Sequence, residues 1–175
     1  SESVSEIKAM RESVMMMQGQ GISTNLAVKI YNYYGERTDY ILKNNPYKLV
    51  EDIDGIGFFT ADKIAQKLGI DEFSEFRIRA GILHILKENS DKSGNTYIHK
   101  ENLFSEINVL LKIVVVEHSE LINKVINSMV MDSVIKLFEL DGVEIIMLYK
   151  YYSCEKMVAG MLKALNNYPN KLKKI

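Results

Sequence analysis

The sequence has 175 residues, of which 47% are hydrophobic and 26% are charged, and its formal net charge is -1. This composition predicts one ordinary globular core or two small ones, and it provides no overall basic surface for nucleic acid. No apolar run approaches the roughly 18 residues that a membrane span needs, and no secretory prefix is present, so we expect a cytoplasmic protein without a membrane partner. Cys154 is the single cysteine, which excludes an internal disulfide and a cysteine-based metal site.

Apolar residues in the first half recur mostly at intervals of three and four, which is typical of helices. We predict helices over 2–18, 24–34, 37–43, 46–51, 58–68 and 74–89, separated by short turns. The pair Asn45-Pro46 marks a stop between the third and fourth helices. The chain is therefore predicted to be mainly α, with a first helical domain over residues 1–72.

The pattern changes after the polar segment 90–95. A short strand is predicted at 96–98, helices at 99–111 and 119–131, and strands at 133–138 and 143–148 around the hairpin signal Asp141-Gly142. Helix, strand, helix, helix and hairpin is the order of a winged helix, so residues 73–150 are predicted to form a small winged-helix-like α+β domain. A closing helix near 153–166, within a linking segment 151–175, is expected to lead to a further part of a longer protein.

Two short motifs in the first half form an internal repeat. A shift of 34 residues places GISTNLAVKI, which begins at Gly21, over GIGFFTADKI, which begins at Gly55. Glycine, isoleucine, alanine, lysine and isoleucine then coincide without a gap. The repeat predicts two related helix-turn-helix units.

The turn of the second unit has the composition of a phosphate site. Gly55 and Gly57 lack a Cβ, so both can take positive φ and let another molecule approach the backbone. Ile56 between them is predicted to pack inward, which leaves backbone N–H groups at the start of the next helix for a phosphate. Lys63 is predicted to add a positive charge, and Thr60 to contact or support the same site.

The first unit is predicted to be a weaker copy. Gly21 and Ile22 match the second unit, but Ser23 replaces its second glycine and makes the turn less permissive. Lys29 occupies the position of the second unit's lysine and is predicted to serve its own turn. The alternative for both units is a tight turn between helices that binds no ligand.

The paired motifs resemble tandem helix-hairpin-helix motifs, which hold DNA backbones without sequence specificity. The segments GISTNLAVKIYNYYGE, NPYKLVEDIDGIGFFTADKIAQKLGI and FRIRAGILHIL are similar to the N-terminal region of RecD-like helicases of the RecD/TraA group, and LYKYYSCEKMVAGMLKAL is similar to the segment that leads to their motor. The resemblance implies a parent ATP-dependent DNA helicase of five-prime to three-prime polarity, active in DNA repair or recombination. It also implies single-stranded or forked DNA and the motor domains of the same chain as partners, with ATP and Mg needed only by the motor.

The chain itself is expected to be non-catalytic. No G-x-x-x-x-G-K-[ST] stretch occurs between Ser1 and Ile175, and the three histidines are scattered without metal-ligand spacing, so we expect no cofactor and no metal. A competing interpretation is a protein-docking module that braces the motor or binds a partner subunit, which the near-neutral charge favours. The second helix of the winged-helix-like domain could contact DNA bases or serve only in packing. Packing is favoured over sequence-specific DNA contact for its polar residues Asn123, Lys124, Asn127 and Ser128.

Overall fold

The computed structural model describes the backbone of residues 4–166 and the side chains of residues 4–159 and 161. Its helices are α1 Val4–Gly19, α2 Thr24–Tyr34, α3 Thr38–Asn44, α4 Lys48–Asp52, α5 Phe58–Lys67, α6 Glu75–Ser93, α7 Lys100–Leu111, α8 Ser119–Met131 and α9 Tyr149–Asn166, with a 3-10 turn at Gly35–Arg37. Its strands are β1 Tyr97–His99, β2 Ile135–Leu140 and β3 Val143–Leu148. The predicted class, mainly α with a small α+β part towards the C-terminus, is confirmed.

The chain divides into two compact units, Ser1–Gly81 and Ile82–Ile175, and the division falls inside α6. The domain boundary predicted between residues 72 and 73 stays a prediction, as does the linking role of 151–175, whose last nine residues lie outside the described part. The predicted start of the first helix at residue 2 also lies outside it. Along residues 4–166, no helix is both long and apolar enough to cross a membrane.

The first unit is built from α1 to α5 and the first part of α6. Its core consists of apolar side chains that recur at helical spacing, among them Met17, Ala27, Ile30, Leu42, Leu49, Phe58, Ala61, Ile64 and Ile78. Each of these side chains is less than 5% exposed. Burial of this apolar stripe holds helices of five to 16 residues that would be marginal in isolation.

The second unit contains a three-stranded antiparallel sheet of order β1-β3-β2. Four consecutive residues of β3, Ile145 to Leu148, are buried, so both faces of this central strand are covered. Asp141 and Gly142 connect β2 to β3 with φ of 50° and 78°, which matches the predicted Asp-Gly hairpin turn. The order of elements is the one predicted, and the name winged helix stays a prediction.

The first strand of the hairpin begins later than predicted, at Ile135 instead of residue 133. Ser133 takes a φ of 56°, and the amide of Val134 donates to the carbonyl of Met129 at 2.9 Å. These two residues therefore close the C-terminus of α8. Similarly, α6 runs four residues beyond its predicted end and stops before Gly94, whose φ is 66°.

Candidate functional site

The backbone of both hairpin turns depends on the first glycine of each motif. Gly21 has a φ of 74° and Gly55 a φ of 85°, a region that side chains with a Cβ rarely enter. Gly57 differs from the expectation, because its φ of -91° and ψ of 173° are accessible to any residue. A Cβ at Gly57 would meet no atom within 4 Å. The second glycine therefore keeps the space in front of α5 open instead of permitting a special backbone conformation.

The isoleucine of each motif anchors its turn. Ile22 and Ile56 are buried, as predicted, and their amides donate to the carbonyls of Met17 and Ile53 at 3.0 Å and 3.2 Å. Each isoleucine follows the glycine with positive φ, so the side chain points into the core while the glycine stays exposed. This arrangement presents the turn backbone at the surface of the first unit.

The starts of the two following helices differ in capping. The hydroxyl of Ser23 accepts a hydrogen bond from the amide of Leu26 at 3.4 Å and caps α2. Gly57 offers no side-chain cap to α5. The amides of Thr60 and Ala61 both donate to the carbonyl of Gly57, at 3.1 Å and 3.2 Å, so Thr60 uses its amide to close the first turn of α5. The second hairpin thus presents the positive dipole end of a helix whose N-cap residue supplies no capping side chain.

One of the two lysines of the repeat, Lys29, contacts a different turn from the one predicted, and the prediction for Lys63 stays a prediction. Lys29, on α2, donates through Nζ to the carbonyl of Asp54, in the turn of the second hairpin. Lys67, on α5, donates through Nζ to the carbonyl of Gly21 at 3.3 Å, in the turn of the first hairpin. Lys63 is exposed, and the described residues supply no hydrogen bond or ion pair to its ammonium. Each turn therefore receives a lysine from the other hairpin, and the sequence had given no reason to select Lys67.

An exposed aromatic ring adjoins the second turn. Phe59, the second residue of α5, is 59% exposed, and its ring meets the buried ring of Phe58 edge-on with centroids 5.6 Å apart. Phe58 in turn stacks on Tyr47 at 6.2 Å. Lys63 lies four residues after Phe59, on the same face of α5. Sequence reasoning did not single out Phe59, because an aromatic residue in an amphipathic helix is usually part of the core.

A buried ionic network lies behind the second hairpin. Asp62 accepts hydrogen bonds from Tyr47 Oη at 2.7 Å, Arg77 Nε at 2.8 Å, Gln66 Nε2 at 2.9 Å and Arg77 Nη2 at 3.2 Å. Burial, and then the hydrogen bond to Asp62, raises the pKa of Tyr47 above its ordinary value. Burial lowers the pKa of Arg77, but the hydrogen bond and charge of Asp62 outweigh it and leave the pKa raised. The network links the residue before α4 to α5 and α6 and fixes the helix that begins at the turn.

In the second unit, the polar residues considered for DNA contact lie on α8. One side of this helix is lined by Glu120, Asn123, Lys124, Asn127, Ser128, Met131 and Asp132. The two acidic residues in this group weaken the case for a phosphate-binding face. Within residues 4–166, no group of three histidine, cysteine, aspartate or glutamate residues could hold a metal ion.

Comparison with protein families agrees with this geometry. A family model described as "ATP-dependent RecD2 DNA helicase HHH domain" matches residues 6–97, a range that contains both hairpins. The chain belongs to this family. The resemblance to the N-terminal helix-hairpin-helix region of a RecD-like helicase is thereby confirmed. The domain that this family describes comes from an ATP-dependent DNA helicase. The predicted site residues, from Gly21 to Lys29 and from Gly55 to Lys63, all lie within the matched range.

Proposed function

We propose that this chain binds the DNA backbone without sequence specificity, through the two hairpin turns of its first unit. The observation that carries the proposal is that each turn combines a glycine backbone, a helix N-terminus and a lysine ammonium at one exposed place. N–H donors at a helix start and nearby cations are the groups that hold phosphate. Membership in a DNA helicase HHH family supports the same assignment.

The second hairpin is proposed as the primary contact. Gly55 and Ile56 shape the turn, Gly57 leaves α5 open to a phosphate, and Lys63 supplies an exposed charge one turn further along the helix. Thr60 supports the helix start through the hydrogen bond that its amide donates to the carbonyl of Gly57. The absence of a side-chain cap from Gly57 favours this hairpin, because a phosphate at the start of α5 does not have to displace a capping hydroxyl.

The first hairpin is proposed as a supporting contact. Gly21 and Ile22 form an equivalent turn, while Ser23 already engages one amide of α2. Lys67 takes the place of Lys29 as the lysine at this turn. Because the Ser23 hydroxyl engages an amide at the start of α2, a phosphate bound there must compete with a protein group, which accords with the weaker binding expected from the sequence.

We further propose that the chain is a non-catalytic part of a five-prime to three-prime helicase that acts in the cytoplasm. The motor domains of the same protein would use ATP and Mg, and this region would hold single-stranded or forked DNA for them. The family's ATP-dependent helicase parent supports this division of labour. The protein-docking alternative makes a different prediction, since docking does not require the lysines or the open helix start.

The test is fluorescence anisotropy of labelled single-stranded, duplex and forked DNA, at protein concentrations above the roughly 100 μM expected for weak non-specific binding. Lys63→Gln should weaken binding about fivefold, as for the loss of about 1 kcal/mol, and should lower the duplex salt slope by about 0.9. Lys43→Gln changes the same charge on the exposed surface of α3 and serves as the matched control. Gly57→Val should fold, because its Cβ meets open space, and should also weaken binding.

Circular dichroism establishes that every variant is folded before its affinity is compared. Binding that is absent at the highest protein concentration, or indifferent to Lys63→Gln and Gly57→Val, would refute a hairpin grip on DNA. Such a result would favour docking to a protein partner.

A further inference from the structure

The crossed lysines suggest how the two hairpins are related. Lys29 leaves the first hairpin and donates to Asp54 in the second turn, while Lys67 leaves the second hairpin and donates to Gly21 in the first. Both contacts lie within the first compact unit. The two contacts are reciprocal, since each hairpin sends one lysine to the turn of the other. The two lysines are not equivalent in the repeat, because Lys67 aligns with Tyr33 under the shift of 34 residues.

The glycines of the two turns lie next to the incoming ammonium groups. A Cβ on Gly21 would collide with Nζ of Lys67, so a side chain there would displace the end of that lysine from the turn. A Cβ on Gly55 would lie 3.7 Å from Nζ of Lys29, which is an ordinary van der Waals contact. Both glycines have positive φ, so the backbone requirement is common to the two turns, and the close approach at Gly21 comes from the opposite hairpin.

These two lysine contacts contribute little to the stability of the fold. Both lysines are exposed, and an exposed charge contact adds little to stability because water competes and a long side chain must be ordered. The carbonyl oxygens of Asp54 and Gly21 also accept from one charged donor each and leave the remaining ammonium hydrogens directed elsewhere. What the arrangement does achieve is to place a positive charge at each turn, beside the helix start of the other hairpin.

We propose that the two hairpins hold DNA as one coupled unit, in which Lys29 of the first hairpin serves the second turn and Lys67 of the second hairpin serves the first. This inference rests on the proposed DNA binding and specifies its organisation. Loss of a lysine should therefore impair the hairpin opposite to the one that carries it. A model of two independent motifs predicts the reverse, with each lysine coupled to its own turn.

The test is a crossed series of double variants measured by DNA anisotropy. Lys29→Gln and Lys67→Gln remove the charges, while Gly57→Val and Ser23→Val place a branched side chain in front of the second and the first helix start. Each lysine variant is combined with Gly57→Val and with Ser23→Val, which gives four double variants. Lys43→Gln makes the same charge change on α3 and serves as a control. Circular dichroism verifies folding, because Ser23→Val also removes a helix cap.

The coupled unit predicts a specific pattern of losses. Lys29→Gln should weaken binding about fivefold alone and in the Ser23→Val background, but less than about twofold once Gly57→Val has blocked the second turn. Lys67→Gln should show the opposite pattern, retaining its effect beside Gly57→Val and losing it beside Ser23→Val. Each lysine change should also lower the salt slope, by about 0.9 on duplex DNA, which a purely structural contact would not do.

Four results would overturn the inference in distinguishable ways. Coupling of each lysine to its own turn would establish independent motifs and leave DNA binding intact. Strict additivity in all four double variants would show that neither lysine serves one particular turn. Lysine changes without effect would show that the crossed contacts have no role in binding. Failure of the unmodified chain to bind DNA in the same titrations would instead remove the proposed function, and this inference with it.

Discussion

The buried pair of Asp62 and Arg77 should dominate the stability of the first unit, and Arg77→Met tests this. The two side chains are 12% and 8% exposed and are joined by two hydrogen bonds, at 2.8 Å and 3.2 Å. Removing one partner of a buried pair leaves the other charge without compensation, which costs about 3–5 kcal/mol. The total stability of a domain is only about 5–15 kcal/mol, so this single change should remove a large part of it.

Tyr47→Phe provides a graded comparison at the same carboxylate. It removes one donor, at 2.7 Å, and leaves Asp62 with Arg77 and Gln66, so it should cost about 1 kcal/mol. Urea unfolding followed by circular dichroism gives both free energies, and separate transitions of the two units would be fitted separately. A loss of under about 1 kcal/mol for Arg77→Met, or a larger loss for Tyr47→Phe, would refute this account of the network.

Two further predictions concern pH and the surface of the second hairpin. Burial and carboxylate partners raise the pKa values of Tyr34 and Tyr47 in the folded protein, so stability should be intact below about pH 10. Above about pH 10, the free energy of unfolding should fall by up to about 1.4 kcal/mol per pH unit for each tyrosine. Urea midpoints between about pH 8 and pH 11 measure this fall, and an unchanged pH profile in Tyr47→Phe would contradict it. The chain contains no tryptophan, so Phe59→Trp places a single tryptophan fluorophore beside Gly57, and its emission should change on addition of DNA. As a control, the emission of Tyr40→Trp on α3 should not change. Equal changes at both sites would argue against DNA contact at the second hairpin.

The sequence was informative wherever structure depends on neighbours along the chain. Helix α2 has the predicted bounds, and the first glycine of each repeat adopts the positive φ that its turn needs. The burial of Ile22 and Ile56 also followed from the motif, because a turn between two helices needs one apolar anchor.

The interactions missed by sequence reasoning join residues brought together by tertiary structure. Lys29 was assigned to its own turn, since the repeat reveals equivalence but not which turn a long side chain reaches. Asp62 and Arg77 are charged residues in amphipathic helices, where the solvated position is the ordinary expectation, and only the folded chain shows them buried together. Gly57 was expected to be able to take positive φ and to let another molecule approach, whereas its φ is -91° and its contribution is the open space that follows from lacking a side chain.

The uncapped start of α5 has a consequence for attempts to stabilise the protein. Ser23 shows that the first copy of the motif accommodates a serine cap, and the backbone of Gly57 is equally extended. Replacing Gly57 with serine is therefore the change that a designer seeking heat resistance would choose, with a gain of a few tenths of a kcal/mol from the new cap. Under the proposed function that hydroxyl would lie at the start of α5, where the phosphate is proposed to bind, so the same substitution would raise thermal stability and lower the affinity for DNA.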